Sequence, residues 1–372
     1  MGFKFVNGVM TKVDDKGQKM EPDIPLAILA TPDDIMNATE AYGSMGQQLV
    51  IPQATISALE NTDSEVLDIL STLFAKYEVP IGLLHKLIAL KNYDLVFVLD
   101  DSGSMSTLSN LTTNDYSSDY MRGVCSGYQS TVSGPKRISR WDEEEDRLHL
   151  LMDFLVWIPT GLLKITFMNR ANIIIVDKAS GLGPQALLDK VHTDIRTVFS
   201  KGPAGGTPIK RCLDQSIALG NIKPTMIYLF TDGQPSDATI DSLKLLCKYR
   251  PKPINSPITF VSCTDEDAEV QWMKDVEEDG DYMSEIDDYV SERKEVLDSQ
   301  GSGFPYTRGL WIMSLLVSAI NPYDLDALDD EKPMRKSALS EILGYTLSES
   351  EYMIYWNGHP KHNDYSRVSF MN

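Results

Sequence analysis

Hydrophobic and polar positions fall into two regimes along the chain. Within residues 63–77, Val66, Ile69, Leu70, Leu73 and Phe74 recur at helical spacing, which predicts an amphipathic helix that Thr62 or Asp63 can cap. Pro80 opens a second predicted helix over 81–90. From residue 93 the pattern changes to short, continuous apolar runs at 93–99, 162–168, 172–176, 226–230 and 258–262. Such runs read as strands buried on both faces of a parallel sheet. The turn Asn169-Arg170 predicts a hairpin between the second and third. Amphipathic segments at 141–157, 184–199, 208–219 and 237–249 separate the others. The alternation predicts an α/β fold: a doubly wound, mostly parallel sheet with one antiparallel edge strand and helices on both faces. The expected division is a helical N-terminal segment (1–92), the α/β domain (93–300) and a C-terminal extension (301–372) with an apolar helix over 309–320.

Two stretches lie outside this rhythm. Residues 106–140, rich in Ser, Thr, Asn, Gly and Tyr, read as a long surface loop. Residues 264–298 hold 15 Asp or Glu against 3 Lys or Arg, which is −12 of the chain's net −20. They lack the glycine and ligand spacing of an EF-hand and read as solvated helix faces. The overall charge speaks against partners that are polyanions, so neither nucleic acid nor an anionic membrane surface is expected. No apolar stretch approaches the length of a membrane span. Met1-Gly2-Phe3-Lys4-Phe5-Val6 has no secretory signature, and Val6 stands where a myristoylation site needs Ser or Thr. Four scattered cysteines, Cys125, Cys212, Cys247 and Cys263, read as reduced thiols of a cytoplasmic protein, with Cys125 the one to test for reactivity. His359 and His362 sit in a polar tail without a third ligand and read as solvated.

The chemistry-bearing constellation follows the first buried strand: Asp100-Asp101-Ser102-Gly103-Ser104-Met105. A turn leaving the carboxyl end of a parallel strand projects side chains into the crevice where α/β sheets bind ligands. One carboxylate and two hydroxyls are hard donors suited to Mg²⁺ or Mn²⁺. Gly205-Gly206-Thr207-Pro208 offers a further hydroxyl before a helix, and Thr231-Asp232-Gly233 a carboxylate at the end of another strand. Asp101 and Gly206 border the set as candidate modulators.

Asp100-x-Ser102-x-Ser104 with Thr207 and Asp232 resembles the metal-ion-dependent adhesion site of von Willebrand factor A-type domains. Arg140-Trp141-Asp142-Glu143, Phe167-Met168-Asn169 and Thr231-Asp232-Gly233-Gln234-Pro235-Ser236 extend the resemblance over about residues 93–300, in the manner of the family's intracellular members. The resemblance implies that Ser102 and Ser104 coordinate a divalent cation directly. Thr207 would do so directly or through a water, and Asp100 and Asp232 mainly through water. It implies Mg²⁺ first, with Mn²⁺ or Ca²⁺ as alternatives, and a non-enzymatic module binding an Asp or Glu carboxylate of a protein partner. Neutral hydroxyl ligands leave the ion electrophilic enough to take that carboxylate. Asp101 either strengthens cation capture or points away into the helix layer. The resemblance also implies that the last helix of the domain, 288–300, can move with the metal shell, with 301–303 as its hinge.

The rival reading is a metal-assisted hydrolase or transferase, with Asp101 or Asp237 as the general base. A third is a scaffold, or an effector delivered into another cell. Asp101-Ser102-Gly103 lacks the second motif an aspartic protease needs, and 202–207 lacks the Lys of a P-loop.

Overall fold

The computed structural model describes residues 2–6, 9–13, 64–128, 135–264, 266–320, 325, 328 and 333–360. They divide into two compact units, one drawn from Met1–Ile88 and Tyr289–Asn372, the other from Ala89–Asp288. In the first unit, β1 (Gly2–Val6) pairs antiparallel with β2 (Val9–Val13), a hairpin not anticipated in a segment read as helical. Helix α1 (Ser64–Tyr77) buries Leu70, Phe74 and Tyr77, on the face the spacing predicts. The cap candidates Thr62 and Asp63 lie outside the described residues. The helix expected over 81–90 is instead a 3₁₀ turn, Ile81–Leu83, the short α2 (Leu84–Ile88) and a second 3₁₀ turn, Ala89–Asn92. Gly82 lies against the backbone of Glu341, where a Cβ would come within 2.1 Å of a carbonyl oxygen.

The unit Ala89–Asp288 holds the sheet. Its strands are β3 (Asp94–Leu99), β6 (Leu163–Phe167), β7 (Ile173–Val176), β8 (Thr225–Thr231), β9 (Ile258–Ser262) and β10 (Met283–Ile286), with β4 (Leu108–Thr112) and β5 (Arg137–Ser139) forming a separate antiparallel pair. The sheet order is β10-β9-β8-β3-β6-β7, parallel throughout except for the β6/β7 hairpin at the edge. This is the α/β class the alternation predicts, with β10 added inside the acidic stretch. The unit's helices are α3 (Asp119–Tyr128), α4 (Arg140–Leu155), α5 (Pro184–Phe199), α6 (Ile209–Gly220), α7 (Ile240–Lys248) and α8 (Asp267–Glu277).

Side chains alternate along β3, so its two faces join different cores. Val96 and Val98 pack with Ile209, Leu213 and Ile217 of α6, Leu243 of α7 and Met273 of α8. Phe97 stacks on Tyr228 at 4.6 Å, while Trp141 of α4 stacks on Phe199 of α5 at 4.1 Å. Register positions the site: Leu99 lies opposite both Phe167 and Phe230, so β3, β6 and β8 end at one level. The chain passes from β3 to β6 on one side and reaches β8 on the other, so order reverses at β3, and the reversal opens a crevice at the strands' carboxyl ends.

The expected surface loop over 106–140 is corrected: it carries β4, α3 and β5 around a small core of Tyr116, Met121 and Ile138. Its apolar residues are too irregularly spaced to show a period, and α4 completes the fold. Asp146 of α4 accepts from the N–H of Ser117 at 2.7 Å and of Ser118 at 2.9 Å, tethering the start of α3. The side chain of Cys125 lies outside the described residues; Cys212, Cys247 and Cys263 are free, buried thiols.

The chain then returns to the first unit with α9 (Tyr289–Gln300), α10 (Arg308–Val317), α11 (Lys336–Leu343) and α12 (Glu349–Gly358). Residues Gly309–Val317 of α10 are all buried. His359, read as solvated, is buried against Tyr355, with ring centroids 5.9 Å apart; His362 lies outside the described residues. No helix among the described residues is long and apolar enough to cross a membrane.

Candidate metal centre

The end of β3 delivers Asp100, Asp101 and Ser102 into the crevice, all buried, while Ser104 is exposed in the 3₁₀ turn Gly103–Ser106. The turn folds back through the Asp100 carboxylate, whose Oδ1 accepts from the Ser102 N–H at 2.8 Å and whose Oδ2 accepts from the Thr231 hydroxyl. The Oγ atoms of Ser102 and Ser104 lie 2.9 Å apart, and Ser104 donates to Asp232 Oδ1 at 2.7 Å. Neighbouring ligands of an octahedral Mg²⁺, with bonds of about 2.1 Å, are separated by about 3 Å, so these oxygens are spaced as the donor set requires.

The third segment arrives by backbone hydrogen bonds. Gly103 N–H donates to Gly205 O at 3.1 Å and Ala204 N–H to Asp101 O at 2.7 Å, fastening the 202–207 turn to the β3 turn. Gly205 has φ +127°, and a Cβ there would meet the Asn169 side chain at 2.5 Å, so both conformation and space demand glycine. Thr207 is buried and held through its backbone: its N–H donates to Ser236 Oγ at 3.0 Å and its carbonyl accepts from Ser236 N–H at 2.9 Å. It does not cap α6. That role belongs to Asp237, which accepts from the N–H groups of Lys210 at 3.1 Å and Arg211 at 2.9 Å.

Asp101 points away from the hydroxyl pair. Its Oδ1 accepts from Asn169 N–H at 2.7 Å and Asn169 Nδ2 at 3.0 Å, and its Oδ2 pairs with Arg170 Nε at 2.6 Å. Asn169 Nδ2 also donates to Gly206 O at 2.7 Å, so the two candidate modulators share one strut.

Two participants that the sequence reading did not assign to the site stand on α4: Arg140, quoted there only as part of the wider resemblance, and Glu144. Ser139 caps this helix in a capping box with Asp142, which fixes the entry angle of Arg140. Arg140 Nη1 pairs with Asp232 Oδ2 at 3.0 Å and its Nη2 with Glu266 Oε1 at 3.1 Å. Four residues on, Glu144 lies on the same helix face, and its Oε1 accepts from Asp100 N–H at 3.2 Å. Glu144 Oε2 is buried with no hydrogen-bond partner among the described residues. The available signal was the charge run Asp142–Arg147, with Arg140 just before it, in a helix that must cover a sheet; read as amphipathic, it hides the fact that Arg140, Glu143, Glu144, Glu145, Asp146 and Arg147 are all buried.

Electrostatics follow from this crowding. Burial pushes Asp100 up to about 6 against the lowering hydrogen bonds from Thr231 and Ser102, with the charge of Asp232 adding to the rise. Burial, then the charge of Asp100, pushes Glu144 well above the usual carboxylate range. Among the described residues, Asp100, Glu144 and Asp232 thus outnumber the guanidinium of Arg140 that pairs with Asp232. An unpartnered buried oxygen, a surplus of negative charge and hydroxyls at ligand spacing fit a hard cation. No cluster of three or more His, Cys, Asp or Glu side chains positioned to hold a metal ion is present among the described residues, so an ion here depends on the serine hydroxyls. Neither a protein-family model nor a curated protein matches the chain.

Proposed function

We propose that the Ala89–Asp288 unit is a divalent-cation-dependent protein-binding module of von Willebrand factor A type, acting inside the cell. Ser102 and Ser104 would hold Mg²⁺, or alternatively Mn²⁺ or Ca²⁺, with Thr207, Asp100 and Asp232 completing the surroundings. The bound ion would supply a Lewis-acidic anchor for an Asp or Glu carboxylate of a protein partner. The observation that carries this reading is the cluster of Ser102, Ser104 and Asp232 oxygens, spaced 2.9 and 2.7 Å apart, at the crevice where strand order reverses. Ser104 is exposed, so the cluster has a side open to a ligand.

The chain's own residues do the positioning. Asp100 orders the turn, Asp101 braces it from behind through Asn169 and Arg170, and Arg140 fixes Asp232. Binding is favoured over hydrolysis because both general-base candidates are engaged elsewhere: Asp101 by three donors, Asp237 by the start of α6. The net charge of −20 makes a nucleic-acid partner unfavourable, and the buried free thiols suit a reducing compartment.

The test is affinity capture with wild type, Asp100→Ala and Ser102→Ala, in Mg²⁺ and in EDTA. A partner lost with EDTA and with both variants is the expected result. Interactors indifferent to cation and variant alike would defeat the proposal.

A further inference from the structure

Away from the crevice, α4 meets α5 at a buried pair of imidazoles for which the cation reading has no use. His149 and His192 face each other Nδ1 to Nδ1 at 2.7 Å, and that contact holds a single proton. His192 Nε2 lies 3.1 Å from Asp153 Oδ1, and a carboxylate only accepts, so His192 carries its proton on Nε2. His149 therefore donates from Nδ1, leaving its Nε2 with a bare lone pair. That lone pair faces Glu145 Oε1 at 3.7 Å, with both residues buried. Neither atom has a hydrogen-bond partner among the described residues. Two acceptors face each other in a buried pocket across a gap that lacks one proton. The other oxygen of Glu145 accepts from Arg196 Nη1 at 2.7 Å.

Every packed element contributes to the field here. Tyr120 of α3 stacks on His149 at 4.2 Å and on His192 at 4.7 Å. From α4 come Asp142 and Asp146, which add negative charge at Glu145, and Asp153; from α5 comes Arg196, 41% exposed.

We propose that Glu145, His149 and Arg196 form a one-proton switch. Above its midpoint, ionised Glu145 holds Arg196. Below it, Glu145 takes a proton from solvent on Oε1, donates it in a hydrogen bond to His149 Nε2, and releases Arg196 as a free cation on the surface of α5. Burial pushes Glu145 up to about 7 against the opposing pull of Arg196. Burial, with His192 and Arg196, holds His149 well below its usual range, so the proton stays on the carboxyl and the ring stays neutral under Tyr120. The switch is independent of the cation site.

Heteronuclear NMR of the full chain tests it, following the Glu145 carboxyl carbon and the His149 ring nitrogens from about pH 5.5 to 8.5, the window around the ordinary His pKa. The expected result is a shared midpoint near 7 for Glu145 and His149 Nε2, with the His149 ring neutral throughout. In Glu145→Gln the amide donates at every pH, so the Nε2 response should vanish. Titration of Glu145 in the ordinary carboxylate range would overturn the switch, as would a proton already on His149 Nε2 at the alkaline end. The wild-type titration decides even if the variant does not fold.

Discussion

Asp101→Asn separates bracing from cation capture. Asp101 is fully buried, takes three hydrogen bonds from Asn169 and Arg170, and is the only carboxylate paired with Arg170 among the described residues. Removing one partner of a buried ion pair costs about 3–5 kcal/mol. Arg170 is 17% exposed and keeps hydrogen bonds to the carbonyls of Val198 at 3.3 Å and Gly202 at 2.6 Å, so the lower end applies, about 3 kcal/mol. For a unit of this size that loss lowers the midpoint by about 6–12 °C. The assay is thermal and urea unfolding in EDTA, paired with a Mg²⁺ titration well below the midpoint. The expected outcome is a large stability loss with Mg²⁺ response per folded molecule retained. Unchanged stability with a lost Mg²⁺ response would refute the reasoning and return Asp101 to the cation shell.

Three other outcomes are expected. Mg²⁺ at 100 times its dissociation constant should stabilise the wild type by about 2.7 kcal/mol, and Ser102→Ala and Ser104→Ala should abolish this in a thermal-shift titration; a persistent shift argues against hydroxyl ligation. Asp237→Ala should cost about 1 kcal/mol through the lost α6 cap while leaving the Mg²⁺ response intact, as for a residue outside the cation shell; denaturant melts check the first part and the Mg²⁺ titration the second. Lys178 donates to Thr160 Oγ1 at 2.9 Å and to the Ile158 carbonyl, and burial pulls it down to about 7. Its folded value lies below the unfolded one, so its contribution is lost as pH falls through about 7 and fully present only above the ordinary lysine pKa. Lys178→Met should remove that rise between neutral and alkaline pH; identical pH slopes in urea melts of the two proteins would contradict it.

The α/β order was legible because the central strands β3, β8 and β9 are short apolar runs buried on both faces. Strand β6, which alternates, and the edge strand β7, which exposes Ile173 and Ile175, were legible only as apolar-rich segments flanking the Asn169-Arg170 turn. Strand β10, Met-Ser-Glu-Ile, was not: it alternates and sits among acids, so its place depends on pairing with β9. The 106–140 insertion was hidden for a related reason, since Tyr116, Met121 and Ile138 meet only in three dimensions. At the site, the turn residues could be read from type and spacing. Arg140 and Glu144 could not, because a charged helix face normally meets water and only the packing of α4 over the strand ends turns it inward. The direction of Asp101 likewise depended on Arg170, 69 residues away.

The most direct measurement is the anomalous difference map of crystals grown with Mn²⁺. The account predicts one strong peak about 2.1–2.2 Å from the Oγ atoms of Ser102 and Ser104, at the hard-ion bonding distance. No peak there, with the two hydroxyls still bonded to each other and to Asp232 at saturating Mn²⁺, would contradict it.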